Sequence, residues 1–158
     1  PGRFRDELCR IIGKKLDDTE IDHCWNALLL DFPPERVKML EELKKNYKLY
    51  LLSNTNSIHY LQYTGSFRTR YGIEMTGFFE RLFLSFEIGI HKPDPEIYKH
   101  VLEHAALNSA ECLFVDDSLE NIEAAAKLGI AGLHISGNHE VTEYFRKGAL
   151  PGKGVLYI

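Results

Sequence analysis

An apolar run that stops at two aspartates is the feature that most constrains the fold of this chain. The segment Cys112-Leu113-Phe114-Val115 is followed directly by Asp116 and Asp117. This pattern is typical of a buried parallel strand whose carboxyl end opens into a polar crevice, where open α/β sheets place their ligands. Two adjacent carboxylates repel each other unless a cation lies between them, and Mg²⁺ prefers such oxygen ligands. The run therefore predicts a parallel sheet with a magnesium site at the end of this strand.

Two other apolar segments predict neighbouring strands. Residues 47–52 lead into Ser53 and Asn54, and residues 82–85 lead a few positions later to Lys92. Because a proline follows Lys92, the helical conformation is disfavoured and the lysine is expected on an extended or turn segment. Helical stretches separate the strands, which favours a doubly wound parallel α/β sheet. A hydroxyl, an amide, an ammonium and paired carboxylates at adjacent strand ends are the parts of a Mg²⁺–phosphate site.

Three motifs in a fixed order resemble those of a known family. Ser53-Asn54-Thr55, then residues 89–98, and then residues 114–118 with Asn121 are similar to motifs II, III and IV of the haloacid dehalogenase-like (HAD) superfamily. The similarity runs from about residue 33 to residue 135 and implies a HAD-like Rossmannoid α/β core. It also implies a Mg²⁺-dependent phosphatase, because paired aspartates would be out of place in true dehalogenases, which need no metal.

The resemblance assigns roles on the phosphate side of the site. Ser53 is expected to hydrogen-bond the transferring phosphoryl group, assisted by backbone amides near Asn54. Lys92 is expected to neutralise charge on the nucleophile and on the phosphate. Ser53 and Lys92 are therefore the candidate catalytic residues, and Ser53, Asn54 and Lys92 are the candidate phosphate-binding residues.

The same resemblance assigns the metal side of the site. Asp116 and Asp117 are the expected Mg²⁺ ligands, one of them through water, and Asn121 is expected to support them. A simpler alternative is that these acids only cap a helix, since acids favour a helix N-terminus. Capping requires one acid and does not account for Lys92 or Ser53, so the metal site is the preferred hypothesis.

The family's nucleophile is the one part without a counterpart in the sequence. In the family, the first aspartate of an Asp-x-Asp motif at the end of an N-terminal strand forms an aspartyl-phosphate, and the second serves as general acid and base. Here Asp17 is interpreted as a helix N-cap, and Asp31 continues a helical stripe that two prolines end. We therefore expect this chain to lack the first, central strand of the sheet and its nucleophile, and to have no turnover by itself.

The predicted organisation is a cap remnant followed by a core. Residues 1–32 contain two amphipathic helical stretches, interpreted as the C-terminal part of a helical cap, and residues 33–158 as the α/β core without its first strand. Trp25, on the second helix, is expected in the cap core rather than in a substrate cleft. His59 lies close enough to the Ser53 motif along the chain to touch a substrate.

Net charge and cysteine content limit the classes of partner and the cellular compartment that we expect. The formal net charge of −4 argues against nucleic acid as the main partner, because phosphate-backbone binding requires a basic surface. The 3 cysteines show no metal or redox spacing, which favours reduced thiols in a cytoplasm. No membrane span or signal peptide is predicted from the sequence. The expected partner is a small phosphorylated metabolite, whose identity the sequence does not give.

Two other functions fit the same motifs. One is a non-catalytic module, or pseudoenzyme, that keeps the phosphate and Mg²⁺ crevice for sensing or assembly. The other is a phosphomutase, which shares every motif seen here and differs mainly in its cap. The sequence does not distinguish between oligomeric states.

Overall fold

The computed structural model describes residues 1–137, 139–145 and 155–157. The α-helices are α1 (Gly2–Ile12), α2 (Asp18–Asn26), α3 (Pro34–Lys44), α4 (Ser57–Tyr71), α5 (Ser85–Ile88), α6 (Pro95–His104), α7 (Leu119–Ala126) and α8 (Val141–Phe145). The strands are β1 (Lys48–Ser53), β2 (Arg81–Leu84), β3 (Cys112–Asp116), β4 (Ala131–His134) and β5 (Val155–Tyr157). Short 3₁₀ turns cover Met75–Phe78 and Ser109–Glu111. None of the described helices is long and apolar enough to cross a membrane.

The chain divides into two units. One is helical and contains Pro1–Asp31 and Thr55–Glu74, and the other contains Phe32–Asn54 and the described part of Met75–Ile158. The helical unit thus combines α1 and α2 with the aromatic-rich α4. The roles of residues 1–32 as cap remnant and 33–158 as core stay predictions, and residues 138, 146–154 and 158 of that core lie outside the described residues.

The second unit contains a parallel sheet with the strand order β2-β1-β5-β3-β4. Each neighbouring pair of strands runs parallel, for example Ser53 opposite Leu84 and Asp116 opposite His134. Parallel strands require crossover connections, which the intervening helices supply. The prediction of a parallel α/β sheet is therefore confirmed.

The C-terminal strand β5 lies in the centre of the sheet, between β1 and β3. It pairs with Lys48–Tyr50 on one side and Cys112–Phe114 on the other. The place that a missing central strand would leave open is thus occupied over three residue pairs on each side. This pairing ends before Ser53 and Asp116, so the carboxyl ends of β1 and β3 extend beyond β5.

A well-packed core fixes the strands that carry the polar ends. Ile97, Tyr98 and Phe114 have at most 1% of their surface exposed. Helix α7 packs closely against β4 at Gly132, where a Cβ atom would lie 2.5 Å from Ile122 Cγ2. Only glycine allows this approach, which in turn fixes the helix that follows Asp116 and Asp117.

Candidate active site

The carboxyl ends of β1 and β3 bring most of the predicted residues to one place. Lys92, Asn54, Asp116 and Asn121 are joined by hydrogen bonds, although they come from four different segments. Ser53, half-buried, closes β1 directly before Asn54. These residues therefore form one cluster, and their roles toward a ligand stay predictions.

An ion pair lies at the centre of this cluster. Lys92 Nζ donates to Asp116 Oδ2 at 2.7 Å and to the Leu52 carbonyl at 2.9 Å. The side chains of Lys92 and Asp116 are only 11% and 6% exposed. The ammonium also lies 5.4 Å from the centre of the Phe114 ring, within the range of a cation–π contact. A positive charge is thus held, largely shielded from water, where β1 and β3 end.

The second oxygen of Asp116 is held by the segment that starts α7. Asp116 Oδ1 accepts hydrogen bonds from Ser118 N at 2.8 Å and from Asn121 Nδ2 at 2.9 Å. Burial opposes ionisation of Asp116, but the hydrogen bonds from Lys92 and Asn121 outweigh it and lower the pKa of this carboxyl below its ordinary value. Asp116 is therefore a fixed, ionised carboxylate.

Lys92 lies in a turn, as the following proline predicted. The turn is closed by a hydrogen bond from Asp94 N to the His91 carbonyl at 2.9 Å. The side chain of Asn54 contacts this turn, because Asn54 Nδ2 donates to the Lys92 carbonyl and Asn54 Oδ1 accepts from Lys92 N. The sequence predicts a phosphate contact for Asn54, and the structure adds a contact with the Lys92 backbone.

Asp117, unlike Asp116, is exposed, and a histidine contacts its backbone. His134 Nε2 lies 3.1 Å from the Asp117 carbonyl, and Ile135 N donates to the Asp116 carbonyl at 2.9 Å. The end of β4 thus holds both the last residue of β3, Asp116, and the loop residue Asp117 that follows it. Sequence reasoning missed this role of His134, because a lone histidine 17 residues away along the chain carries no signal for such a contact.

Tyr98 is a second residue that sequence reasoning missed. Its hydroxyl donates to the Asn121 carbonyl at 3.0 Å, and its ring packs against Phe114. Burial, together with the nearby charge of Asp116, raises the pKa of this phenol. The available signal was its place on the buried face of the helix that Asp94 and Pro95 open. Tyr98 therefore supports the helix from which Asn121 reaches Asp116.

The donor set of the two aspartates fits magnesium held with few protein ligands. A carboxylate offers about four acceptor positions, and three donors already use three of those on Asp116. Asp117 is exposed and can contribute its side chain. Within the described residues there is no cluster of three or more ligating side chains. Mg²⁺ is commonly bound by one or two carboxylates, with water and phosphate completing its shell, so this set is compatible with it.

The other sequence candidates lie in the helical unit. Asp17 caps α2 by accepting from Glu20 N at 2.8 Å, which confirms the N-cap prediction. Asp31 lies outside the described strands, but the prediction that it continues a helix is wrong, because α2 ends at Asn26; its carboxylate pairs with Arg70 at 3.0 Å. Trp25 stacks on His59, with ring centres 5.5 Å apart, and its carbonyl lies 3.1 Å from His59 Nε2. These two residues are thus engaged with each other, and a substrate contact of His59 stays a prediction.

Comparison with known families and proteins gives a consistent result. A family model described as haloacid dehalogenase-like hydrolase matches residues 5–129. A D-ribitol-5-phosphate phosphatase of Bacteroides thetaiotaomicron is 29% identical over 126 residues, which are 80% of this chain and 61% of that protein. A sesquiterpene phosphatase of Aspergillus oryzae is 47% identical over 58 residues, 37% of this chain and 30% of that protein. The chain thus spans about three fifths of the first of these relatives and less of the second.

Solved structures agree with the sequence comparison. A HAD family enzyme from Bacteroides thetaiotaomicron, solved as a magnesium complex, superposes with a TM-score of 0.88 at 36% identity, covering 92% of this chain and 74% of that chain. A HAD-like hydrolase from Porphyromonas gingivalis superposes with a TM-score of 0.80 at 28% identity, covering 90% and 72%. Both the family match and these structures cover most of this chain.

Proposed function

This chain belongs to the haloacid dehalogenase-like hydrolase family, and we propose that it forms the phosphate- and Mg²⁺-binding part of a phosphatase of small phosphorylated metabolites. The observation that carries the proposal is the shielded ammonium of Lys92, held between Leu52 and Asp116 at adjoining strand ends. The similarity to a sugar-alcohol phosphate phosphatase supports the substrate class.

The residues of the cluster have complementary roles in this proposal. The Ser53 hydroxyl and the backbone amides near Asn54 donate hydrogen bonds to the phosphoryl oxygens, and the Lys92 ammonium neutralises their charge. Asp116 and Asp117 would hold Mg²⁺, which supplies further charge neutralisation when it is bound. Asn121 keeps the Asp116 carboxylate in place. Together these groups bind and orient a phosphate monoester.

Bond cleavage requires a nucleophile in addition to these groups. No described strand carries an Asp-x-Asp sequence at its carboxyl end. We therefore propose that the 158 residues alone bind Mg²⁺ and phosphate without turnover, and that the attacking aspartate comes from a segment outside them.

Hydrolysis of p-nitrophenyl phosphate tests this proposal. The 158-residue chain should show no Mg²⁺-dependent hydrolysis, and a fusion that adds a family-type strand ending in Asp-x-Asp should acquire it. Lys92→Met in the fusion should abolish that activity, whereas Lys45→Met, which removes an exposed lysine, should not. Activity of the unextended chain that disappears on Asp31→Asn would refute the proposal.

A non-catalytic binding module is the second candidate, and the position of β5 favours it. Because β5 pairs with both β1 and β3, the described sheet is continuous without another strand. This candidate predicts that the fusion binds Mg²⁺ and inorganic phosphate by calorimetry but never hydrolyses the ester. Turnover by the fusion would exclude it.

A further inference from the structure

The side-chain amide of Asn54 and the backbone of Lys92 form a reciprocal pair of hydrogen bonds. Asn54 Nδ2 donates to the Lys92 carbonyl at 2.8 Å, and Lys92 N donates to Asn54 Oδ1 at 2.9 Å. This two-way pairing resembles the exchange of hydrogen bonds between two residues of adjacent strands. We infer that Asn54 is a positioning residue whose side chain fixes Lys92, rather than a side-chain ligand of the phosphate.

Among the described residues, one further backbone hydrogen bond supports the turn that contains Lys92. Lys92 lies in the loop between α5 and α6, where the turn is closed by one hydrogen bond from Asp94 N to the His91 carbonyl. A lysine side chain has four rotatable carbon–carbon bonds, so holding its ammonium in one place costs considerable conformational entropy. When the Lys92 backbone is fixed, fewer positions are accessible to the ammonium, so less conformational entropy is lost in placing it. The Asn54 amide supplies this constraint at both polar atoms of the Lys92 main chain.

Residues in and directly after β1 therefore hold Lys92 both at its backbone and at its ammonium group. Asn54, directly after the last residue of β1, binds the Lys92 backbone, while the carbonyl of Leu52 within β1 accepts from the Lys92 ammonium at 2.9 Å. The two contacts come from residues only two positions apart. The ammonium is thereby placed relative to Ser53, which lies between them, and to Asp116 on β3.

The inference deepens the proposed function. It rests on that function only in assuming that the Lys92 ammonium serves to bind phosphate. If the cluster binds phosphate, Asn54 determines where the positive charge meets it. The positioning itself is a property of the ligand-free chain, so it can be tested whether or not the chain binds phosphate.

The test is the rate at which single lysines are acetylated by acetic anhydride, measured by peptide mass spectrometry. Lys92 is only 11% exposed and should react slowly, with Lys45 and Lys99 as exposed reference lysines in the same sample. Asn54→Ala removes both hydrogen bonds, and Asn54→Asp replaces the donor that faces the Lys92 carbonyl with an oxygen. Each variant should raise the reaction rate of Lys92 relative to the reference lysines about tenfold.

Asn56→Ala is the matched control. Asn56 also makes two hydrogen bonds to the backbone, from Ile58 N and His59 N at 3.0 Å, but it caps α4 instead of contacting Lys92. Its loss should leave the relative rate of Lys92 unchanged. Binding of inorganic phosphate, in the presence of Mg²⁺, is measured on the same variants by calorimetry.

The outcomes separate the inference from the proposed function. Faster acetylation of Lys92 in both Asn54 variants, but not in Asn56→Ala, supports positioning, even if the wild-type chain binds no phosphate. Unchanged acetylation with weakened phosphate binding would overturn it in favour of a direct anion ligand. Unchanged acetylation with unchanged binding would also overturn it. An equal rise in Asn56→Ala would show a general loosening and overturn it as well.

Discussion

Lys92, in the turn between α5 and α6, and Asp116, the last residue of β3, form an ion pair of 2.7 Å. Each partner is also fixed independently, Lys92 by the Leu52 carbonyl and Asp116 by Ser118 N and the Asn121 amide. Shielding two charges from water costs solvation free energy, which their attraction offsets only when the geometry is good and further hydrogen bonds are made. The pair is therefore sensitive to the loss of either partner.

Removing Lys92 should destabilise the fold. Lys92→Met leaves the Asp116 carboxylate shielded without its counter-ion, so we expect the free energy of unfolding in urea to fall by about 3 kcal/mol. Lys45→Met, which removes an exposed partner of Glu42, should cause no measurable change. The double variant Lys92→Met/Asp116→Leu should be less destabilised than Lys92→Met. A fall as large for Lys45→Met as for Lys92→Met would contradict this prediction.

The stability of the chain should depend on pH through Asp116. Because the pKa of this carboxyl is lower in the folded state than its ordinary value of 3.8, the unfolded chain takes up the proton first on acidification. The ionised Asp116 carboxylate makes its full contribution to the free energy of unfolding at pH values above the ordinary pKa. That contribution is lost as pH falls through the lower pKa of the folded state. The gap in free energy of unfolding between wild type and Asp116→Asn should therefore be constant above about pH 5 and narrow below about pH 4. If the gap in free energy of unfolding widened on acidification, the pKa of Asp116 would not be lowered by folding, and the prediction would be wrong.

Strand ends could be predicted from the sequence because they combine two local signals. The runs before Ser53 and Asp116 are apolar and then turn polar abruptly, which a buried parallel strand requires. The turn at Lys92 followed from one steric rule about the residue before proline. Each of these predictions depended only on neighbours along the chain.

Contacts between distant segments could not be predicted in this way. The pairing of Asn54 with Lys92 joins residues 38 positions apart, and asparagine after a strand is equally compatible with a turn or an anion site. The insertion of β5 between β1 and β3 involves three residues, too few for a periodic pattern. Such features depend on tertiary packing, which local propensity does not encode.

His134 should affect metal binding without touching the metal. Its ring contacts the Asp117 carbonyl, so His134→Phe should free the loop that carries the proposed ligand and weaken Mn²⁺ binding about tenfold, measured by electron paramagnetic resonance. His134→Gln keeps a donor at a similar reach and should restore most of the affinity.

The control for this prediction is His104→Phe. His104 also contacts a backbone carbonyl, that of His100 at 2.8 Å, but on α6, away from the paired aspartates. It should leave Mn²⁺ affinity unchanged. Equal affinity in wild type and His134→Phe would show that the histidine does not position Asp117, whereas no binding by wild type would refute the metal site itself.

Two glycine substitutions should change stability in opposite directions. At Gly132 a Cβ atom would lie 2.5 Å from Ile122 Cγ2, so Gly132→Ala should lower the free energy of unfolding by about 1–3 kcal/mol. At Gly65, inside α4, a Cβ atom would meet nothing within 4 Å, and Gly65→Ala should raise it by about 0.5–1 kcal/mol because alanine favours helix. In an Ile122→Ala background, which lacks the clashing methyl group, Gly132→Ala should lower the free energy of unfolding by much less than it does in wild type. If Gly132→Ala costs as much in the Ile122→Ala background as in wild type, the close approach of α7 to β4 is not what requires glycine.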